Sequence, residues 1–244
     1  MQRGLYRDQG VVVRTVKLGE TDRIVTLFTR ANGRIRAVAK GVRKPGSRFG
    51  ARLEPASHVA LQCYRGRELD VVTQVETIDT HRALREHYRS LTHAVSMLEA
   101  VDQVALEREP NPALYRMLTS ALQTLAQEPS PLVSAAFFWK LLSLEGFHPV
   151  LDTCVRCGDA PADTGPFATF DLGDGGVVCA GCADFGGRRV RPETLAVVAR
   201  VVGGRLRGVL DAPPRDDVMR EVERLAVAAL EHHSERRLRS AALL

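Results

Sequence analysis

The chain has 244 residues, 45% of them hydrophobic and 26% charged, a balance that supports a buried core and excludes a disordered polyelectrolyte. Its net charge is +5, and the surplus is local: residues 1–80 carry 15 Lys and Arg against 8 Asp and Glu, whereas the rest carries 19 against 21. That asymmetry points to a polyanionic partner for the N-terminal third and argues against an acidic or uniformly neutral surface there.

Residues 1–80 read as β. Val11, Val12 and Val13 open a run that reaches Leu18, and residues 23–29 form a second run rich in β-branched side chains. The Ala31-Asn32-Gly33 turn precedes a third strand over residues 34–40. A loop over residues 41–55, broken by Gly and Pro, leads to strands over 58–64 and 69–75, with Arg65-Gly66-Arg67 turning between them. Five short strands without an intervening helical period predict a five-stranded β-barrel of the OB type; a small open sheet is the alternative.

At Thr80 the period changes. Leu84, Tyr88, Leu91, Val95, Leu98 and Val101 step by threes and fours, which predicts an amphipathic helix ended by Glu109-Pro110-Asn111-Pro112. Leu114, Leu118, Leu122 and Leu125 mark a second helix. A third, over residues 131–144, is apolar nearly all round, as the centre of a bundle would be. Pro192 opens a helix with Leu195, Val198 and Val202 on one face, and Val218, Val222, Leu225 and Ala229 mark the last. The predicted class is α+β multidomain: a barrel over 1–80, an all-α helical domain over 81–149 and 188–244, and an insert over 150–187.

That insert is rich in Gly and Asp, poor in core residues, and holds four of the five cysteines. Cys154-Val155-Arg156-Cys157 is followed after 21 residues by Cys179-Ala180-Gly181-Cys182. Two C-x-x-C knuckles at this separation have the ligand spacing of a tetrahedral zinc site. Four thiolates close the coordination shell, so one structural Zn²⁺ is expected to order the insert. A redox pair lacks a thioredoxin-like context, and disulfides conflict with a cytosolic location. His148 is read as a surface or capping histidine, and Cys63 as a small buried hydrophobe.

Residues 34–52 carry seven basic side chains and no acidic one. In a strand of period two, Arg34, Arg36 and Lys40 fall on one face and Ile35, Ala37 and Ala39 on the other. The following loop adds Arg43, Lys44 and Arg48, with Phe49 available to stack, and Arg14, Lys17 and Arg23 on neighbouring strands extend the surface. A barrel carrying such a groove is expected to hold a phosphate backbone, with little sequence preference because aromatic side chains are few. A solvated strand face is the bland alternative.

No H-E-x-x-H, Walker loop, G-x-S-x-G or deaminase signature is present, so no catalytic residue is assigned and a non-enzymatic role is expected. Residues 1–10 lack the apolar run of a signal peptide, and a cytoplasmic location, nucleoid-associated when on DNA, is expected. A protein-interaction adaptor and a zinc enzyme acting on nucleic acid are the competing classes.

Three sequence stretches resemble the RecO family of bacterial recombination mediators in DNA repair. They are Gly19-Glu20-Thr21-Asp22-Arg23-Ile24-Val25-Thr26-Leu27-Phe28-Thr29 with Gly33, Ala39-Lys40-Gly41-Val42-Arg43-Lys44, and Gly146-Phe147-His148-Pro149 before the first knuckle. Residues 170–176, before the second knuckle, add to the likeness. The resemblance implies an N-terminal OB-fold, a central helical domain and a zinc-binding insert. It implies binding of single- and double-stranded DNA, annealing of complementary strands and, with RecR, loading of RecA on DNA coated by the single-strand-binding protein SSB. It also implies docking of the SSB C-terminal tail. By the same resemblance, DNA contact falls first on Lys40, Arg43 and Lys44.

Overall fold

The computed structural model describes residues 4–47, 49–183 and 187–244. Five strands form a closed barrel in the order β1-β2-β3-β5-β4: β1 (Leu5–Leu18), β2 (Asp22–Thr29), β3 (Gly33–Ala39), β4 (His58–Tyr64) and β5 (Asp70–Asp79). All neighbours are antiparallel except β3 and β5, which close the barrel in parallel through Ala37↔Asp70 and Val38↔Val71. The expected barrel is therefore present, and the open-sheet alternative is excluded.

Alternation of side chains decides what enters the barrel. Along β3, Ile35, Ala37 and Ala39 are fully buried in the core, while Arg36 is exposed and Arg34 and Val38 are half-buried. On β1 the phase changes once. A bulge between Val12 and Arg14 shifts the register, so Val12 faces the core but Arg14, Val16 and Leu18 face outward.

The loop after β3 folds back into the barrel. Its short 3-10 helix, Gly50–Leu53, buries Leu53, and Phe49 joins the same core with 2% exposure. Phe49 is therefore not available to stack on a ligand, as the sequence had suggested. Burying a side chain of that size stabilises the fold by roughly 2–3 kcal/mol, more than one exposed stacking contact returns.

Among the described residues, eight α-helices follow: α1 (Arg82–Glu86), α2 (Tyr88–Val104), α3 (Pro112–Gln127), α4 (Pro131–Leu144), α5 (Pro161–Thr164), α6 (Pro192–Val202), α7 (Leu206–Asp211) and α8 (Asp216–Ser234). The single stripe expected from Leu84 is split at His87, whose backbone is extended (φ −124°, ψ 117°). The buried face of α2 is correspondingly rotated: Ala94, Met97, Leu98 and Val101 are inside, while Tyr88 is 69% exposed.

The chain packs as two compact units, Met1–Gln127 with Ala242–Leu244, and Glu128–Ala241. In the first, α2 and α3 pack with the barrel, and Phe28 on β2 lies 6.3 Å from the Tyr115 ring. The segment between α2 and α3 is latched to the β2–β3 hairpin: Arg108 N–H donates to the Arg34 carbonyl at 3.0 Å. Gly33, at φ +61°, is required there, because a Cβ would sit 2.0 Å from the Glu109 carbonyl oxygen.

In the second unit, α4 is buried on every side, as its composition predicts, and packs against α8 and α6. Ser130 caps its N-terminus and Pro131 occupies the first turn. The cysteine-bearing segment forms a three-stranded sheet in the order β7-β6-β8, from β6 (Thr169–Asp171), β7 (Gly176–Val178) and β8 (Arg188–Arg189). Phe170 of β6 meets Trp139 of α4 edge to face at 5.8 Å. No helix among the described residues is long and apolar enough to cross a membrane.

Candidate nucleic-acid interface and metal centre

The cations expected from the sequence divide into three groups. Arg36, Lys40, Arg43 and Lys44 are exposed and form no ion pair with a carboxylate among the described residues. Lys40 and Lys44 lie close enough to Asp22 to help hold its carboxyl below the usual range, an effect led by the Gly41 N–H at 2.8 Å and the Thr21 hydroxyl. Arg43, an exposed residue, leans on the β1–β2 turn and donates to the Glu20 carbonyl at 2.9 Å.

A second group is tied to the chain itself. Arg34 donates through Nη1 to the Asp102 carbonyl at 2.9 Å and pairs with its carboxylate at 3.3 Å, while its buried Nε has no partner. Arg23 pairs with Glu54 at 2.7 Å. Arg14 reaches the same Asp102 at 3.7 Å, although its side chain stays 61% exposed. The unbroken cationic face expected through Arg34 is thus interrupted, because Arg34 is used to hold the last turn of α2.

A third group is out of phase. Lys17 pairs in register with Arg23, and Arg23 with Ala39 in the barrel core, so both lie on the opposite side of the strands from Arg14 and Arg36. The bulge in β1 produces this outcome. Lys17 is exposed at the strand end and does not extend the Arg36 face. Arg48 lies outside the described residues.

Sequence reasoning missed the carboxylates that capture these arginines, because Glu54 and Asp102 are 31 and 68 residues from Arg23 and Arg34 and leave no local trace. It also missed a shallow groove of about 450 Å³ on the β1–β4–β5 side, lined by Arg7, Gln9, Arg30, Gln62, Gln74 and Glu76 among others. That groove carries both signs of charge, which suits a polyanion less than the Lys40–Lys44 turn does.

In the other unit, the four cysteine sulfurs converge. Sγ of Cys154, Cys157, Cys179 and Cys182 all lie within 4.8 Å of one another, and Cys157 and Cys179 are 3.7 Å apart. Tetrahedral coordination at about 2.3 Å per sulfur places sulfurs about 3.8 Å apart, so the set fits a metal ion. Each knuckle turns tightly: Gly158 N–H donates to the Cys154 carbonyl at 2.9 Å and Cys182 N–H to that of Cys179 at 3.1 Å. Burial raises the Cys154 thiol, but backbone N–H groups of Cys157, Cys179 and Arg156 outweigh it and bring it down to about 6.

Arg156 holds the two knuckles together. It donates to the Cys182 carbonyl at 2.6 Å, to Asp171 at 3.1 Å and to Asp174 at 3.0 Å. Asp171 is held below the usual carboxylate range first by the Asp174 N–H and also by Gly173 N–H and Arg156. His148 is exposed and bonds Ser143 at 3.0 Å, and Cys63 is fully buried in the barrel.

Residues 1–81 match the family described as Recombination protein O N terminal, and residues 85–242 match Recombination protein O C terminal. Among curated proteins, the chain is 42% identical over 247 residues to the DNA repair protein RecO of Cutibacterium acnes, with 98% of each chain covered. It is 42% identical over 242 residues to the protein of that name from Nocardioides sp., again with 98% of each covered. The protein so named from Thermobifida fusca is 39% identical over 244 residues, with the same coverage of both. The chain belongs to the RecO family. Two of the stretches that suggested RecO from sequence, residues 19–29 and 39–44, come together in space: Arg43 N–H donates to the Thr21 carbonyl at 2.9 Å, and Gly41, at φ +65°, turns its N–H onto Asp22. The β1–β2 turn and the Lys40–Lys44 turn of this RecO-family barrel are thus one structure, with its ammonium and guanidinium groups on the outside.

Proposed function

We propose that this chain is a non-enzymatic, DNA-binding recombination mediator in DNA repair that holds nucleic-acid backbones on its barrel. The observation that carries the reading is the cluster of Arg36, Lys40, Arg43 and Lys44, exposed and without a salt bridge among the described residues, on the part of the barrel where two of the family stretches meet. Phosphate contact releases condensed counterions, so these groups attract single and double strands alike. Held close on one cationic surface, two complementary strands are screened from each other and base pairing drives annealing; no covalent step is needed. Membership of the family supports further partners: RecR, with which RecA would be loaded on SSB-coated DNA, and the C-terminal tail of SSB.

The functional division we propose runs 1–80 for DNA binding, 81–149 with 188–244 for the helical domain, and 150–187 for the metal-bearing insert; the break between the two family matches supports the first boundary. One Zn²⁺ held by Cys154, Cys157, Cys179 and Cys182 would be structural, since four thiolates leave no open position for water or substrate.

A salt titration with a fluorescent single-stranded oligonucleotide tests the DNA reading. With Arg36, Lys40, Arg43 and Lys44 each meeting a phosphate, log K should fall against log salt with a slope of about −2.8. Reversing Lys40, Arg43 and Lys44 to Glu should remove single-strand and duplex binding while the melting temperature holds. A flat salt response, or full binding by the reversed variant, overturns the reading.

A further inference from the structure

The four sulfurs of the metal centre are unequal in exposure. Cys154 and Cys179 are 2% and 4% exposed, Cys182 is half-buried and Cys157 is exposed. Cys154 Sγ also accepts the Cys179 N–H at 3.4 Å, which ties it further into the interior. Metal binding keeps all four as thiolates, and Zn²⁺ has no redox chemistry of its own, so an oxidant must draw its electrons from sulfur. Among thiolates, access decides which sulfur reacts first. That sulfur is Cys157.

The sulfur placed to answer it belongs to the other knuckle. Cys179 Sγ lies 3.7 Å from Cys157 Sγ. Arg156, the neighbour of Cys157 in the chain, donates to the Cys182 carbonyl at 2.6 Å and to Asp171 and Asp174. Val155 N–H donates to the Val177 carbonyl at 3.0 Å, two residues before Cys179. Bonds made by the chain itself thus hold the first knuckle against the second, independently of the metal.

We propose that Cys157 is an oxidation site and the centre a redox switch, in which a hydroperoxide oxidises Cys157 and a Cys157–Cys179 disulfide takes the place of the bound Zn²⁺. The inference rests on the structural-zinc reading and adds a reversible modification to it. The Cys157 thiolate attacks one peroxide oxygen; the O–O bond breaks, hydroxide leaves, and Cys157 becomes a sulfenic acid. The Cys179 thiolate then attacks the Cys157 sulfur; the S–O bond breaks and a second hydroxide leaves as the disulfide forms. Two thiolates have given up two electrons, and one hydrogen peroxide has become two hydroxides, which take protons from solvent. Cys154 and Cys182 alone remain as ligands, and two thiolates hold the ion far more weakly than four. A thiol reductant reverses the step by exchange. Because the Arg156 bonds and the Val155–Val177 bond persist, the insert stays folded in both states, with a covalent clasp in place of a coordinate one.

The test uses the full chain loaded with zinc and treated with hydrogen peroxide. A chromogenic chelator counts the released metal, and peptide mass mapping locates disulfides. One zinc should be released per disulfide formed, and the bridge should join Cys157 to Cys179. A sulfenic-acid trap present from the start should label Cys157 and leave Cys63, fully buried in the barrel, untouched. Trp139 emission should hold its native position in the oxidised form, since Phe170 of the small sheet stays packed on it. Dithiothreitol with added zinc should restore the starting mass and metal content. Arg156→Ala, loaded at excess zinc, should shift the product toward bridges within a knuckle. A chain that takes up no zinc removes the zinc reading and the switch with it. Zinc that is bound but retained under peroxide, release without a disulfide, or wild-type bridges confined to Cys154–Cys157 and Cys179–Cys182 overturns the switch and leaves the structural zinc standing.

Discussion

Asp70 is the most deeply committed charge in the barrel. It is fully buried, accepts two bonds from Arg108 at 2.8 and 3.3 Å and one from the Tyr6 hydroxyl at 2.5 Å, and takes the Gly66 N–H at 3.0 Å. Burial raises its carboxyl, but Arg108, Tyr6 and Gly66 outweigh it and leave it below the ordinary carboxylate range. Because the folded state holds the proton less readily than the unfolded one, this group's contribution is fully present above about pH 4 and is lost as pH falls through the lower folded value. Asp70→Asn keeps the shape and strands Arg108; a loss of about 3 kcal/mol is expected by urea denaturation at pH 7, the low end because Arg108 is partly solvated. The acid-induced fall in stability should also be shallower in that variant. Arg156 makes a comparable case in the other unit. Arg156→Ala removes the tie between the knuckles without touching a ligand, so about a 10–100-fold loss of zinc affinity is expected in chelator competition. The sole tryptophan, Trp139, packed on Phe170 of the small sheet, supplies the fluorescence readout.

At the scale of elements, what could be read in the sequence was what depends on neighbours in the chain. The alternation Ile35, Ala37, Ala39 against Arg34, Arg36 placed β3 and its faces, and the all-apolar stretch over α4 placed the buried centre of its unit. The cysteine spacing likewise anticipated the cluster of sulfurs. Elements that depend on distant partners were not legible. The first half of β1 turns Tyr6 and Asp8 toward the barrel, where Asp70 and Asn32 satisfy them, so its pattern looks polar and loop-like. The β1 bulge leaves no compositional mark, yet it turns Val16 outward and removes Lys17 from the cationic face. The three strands of the small sheet hold three, three and two residues, too few for a period to show. On α2, burial of Ser90, Thr92 and Ser96 defeated a reading based on apolar stripes alone.

For the molecule as a whole, the charge balance summed over the chain understates the interface. Of the fifteen positive charges in residues 1–80, Arg23 is paired internally with Glu54 and Arg34 with Asp102, while Lys40, Arg43 and Lys44 are gathered where two turns meet. The barrel is also not self-contained. Phe28 is covered by Tyr115, Arg34 is held by Asp102, Asp70 by Arg108, and Gly33 admits the backbone of Glu109. A recombinant fragment stopped at residue 80 would therefore bare an aromatic ring and strand a buried carboxylate, and should be insoluble or molten. One carried on to residue 127 should melt cooperatively and retain the salt-sensitive DNA affinity, which calorimetry and the oligonucleotide titration can compare directly. Autonomy of the DNA-binding module would thus be set by a hairpin glycine and the loop it admits: the cut that looks natural on the linear map falls inside the smallest piece able to stand alone.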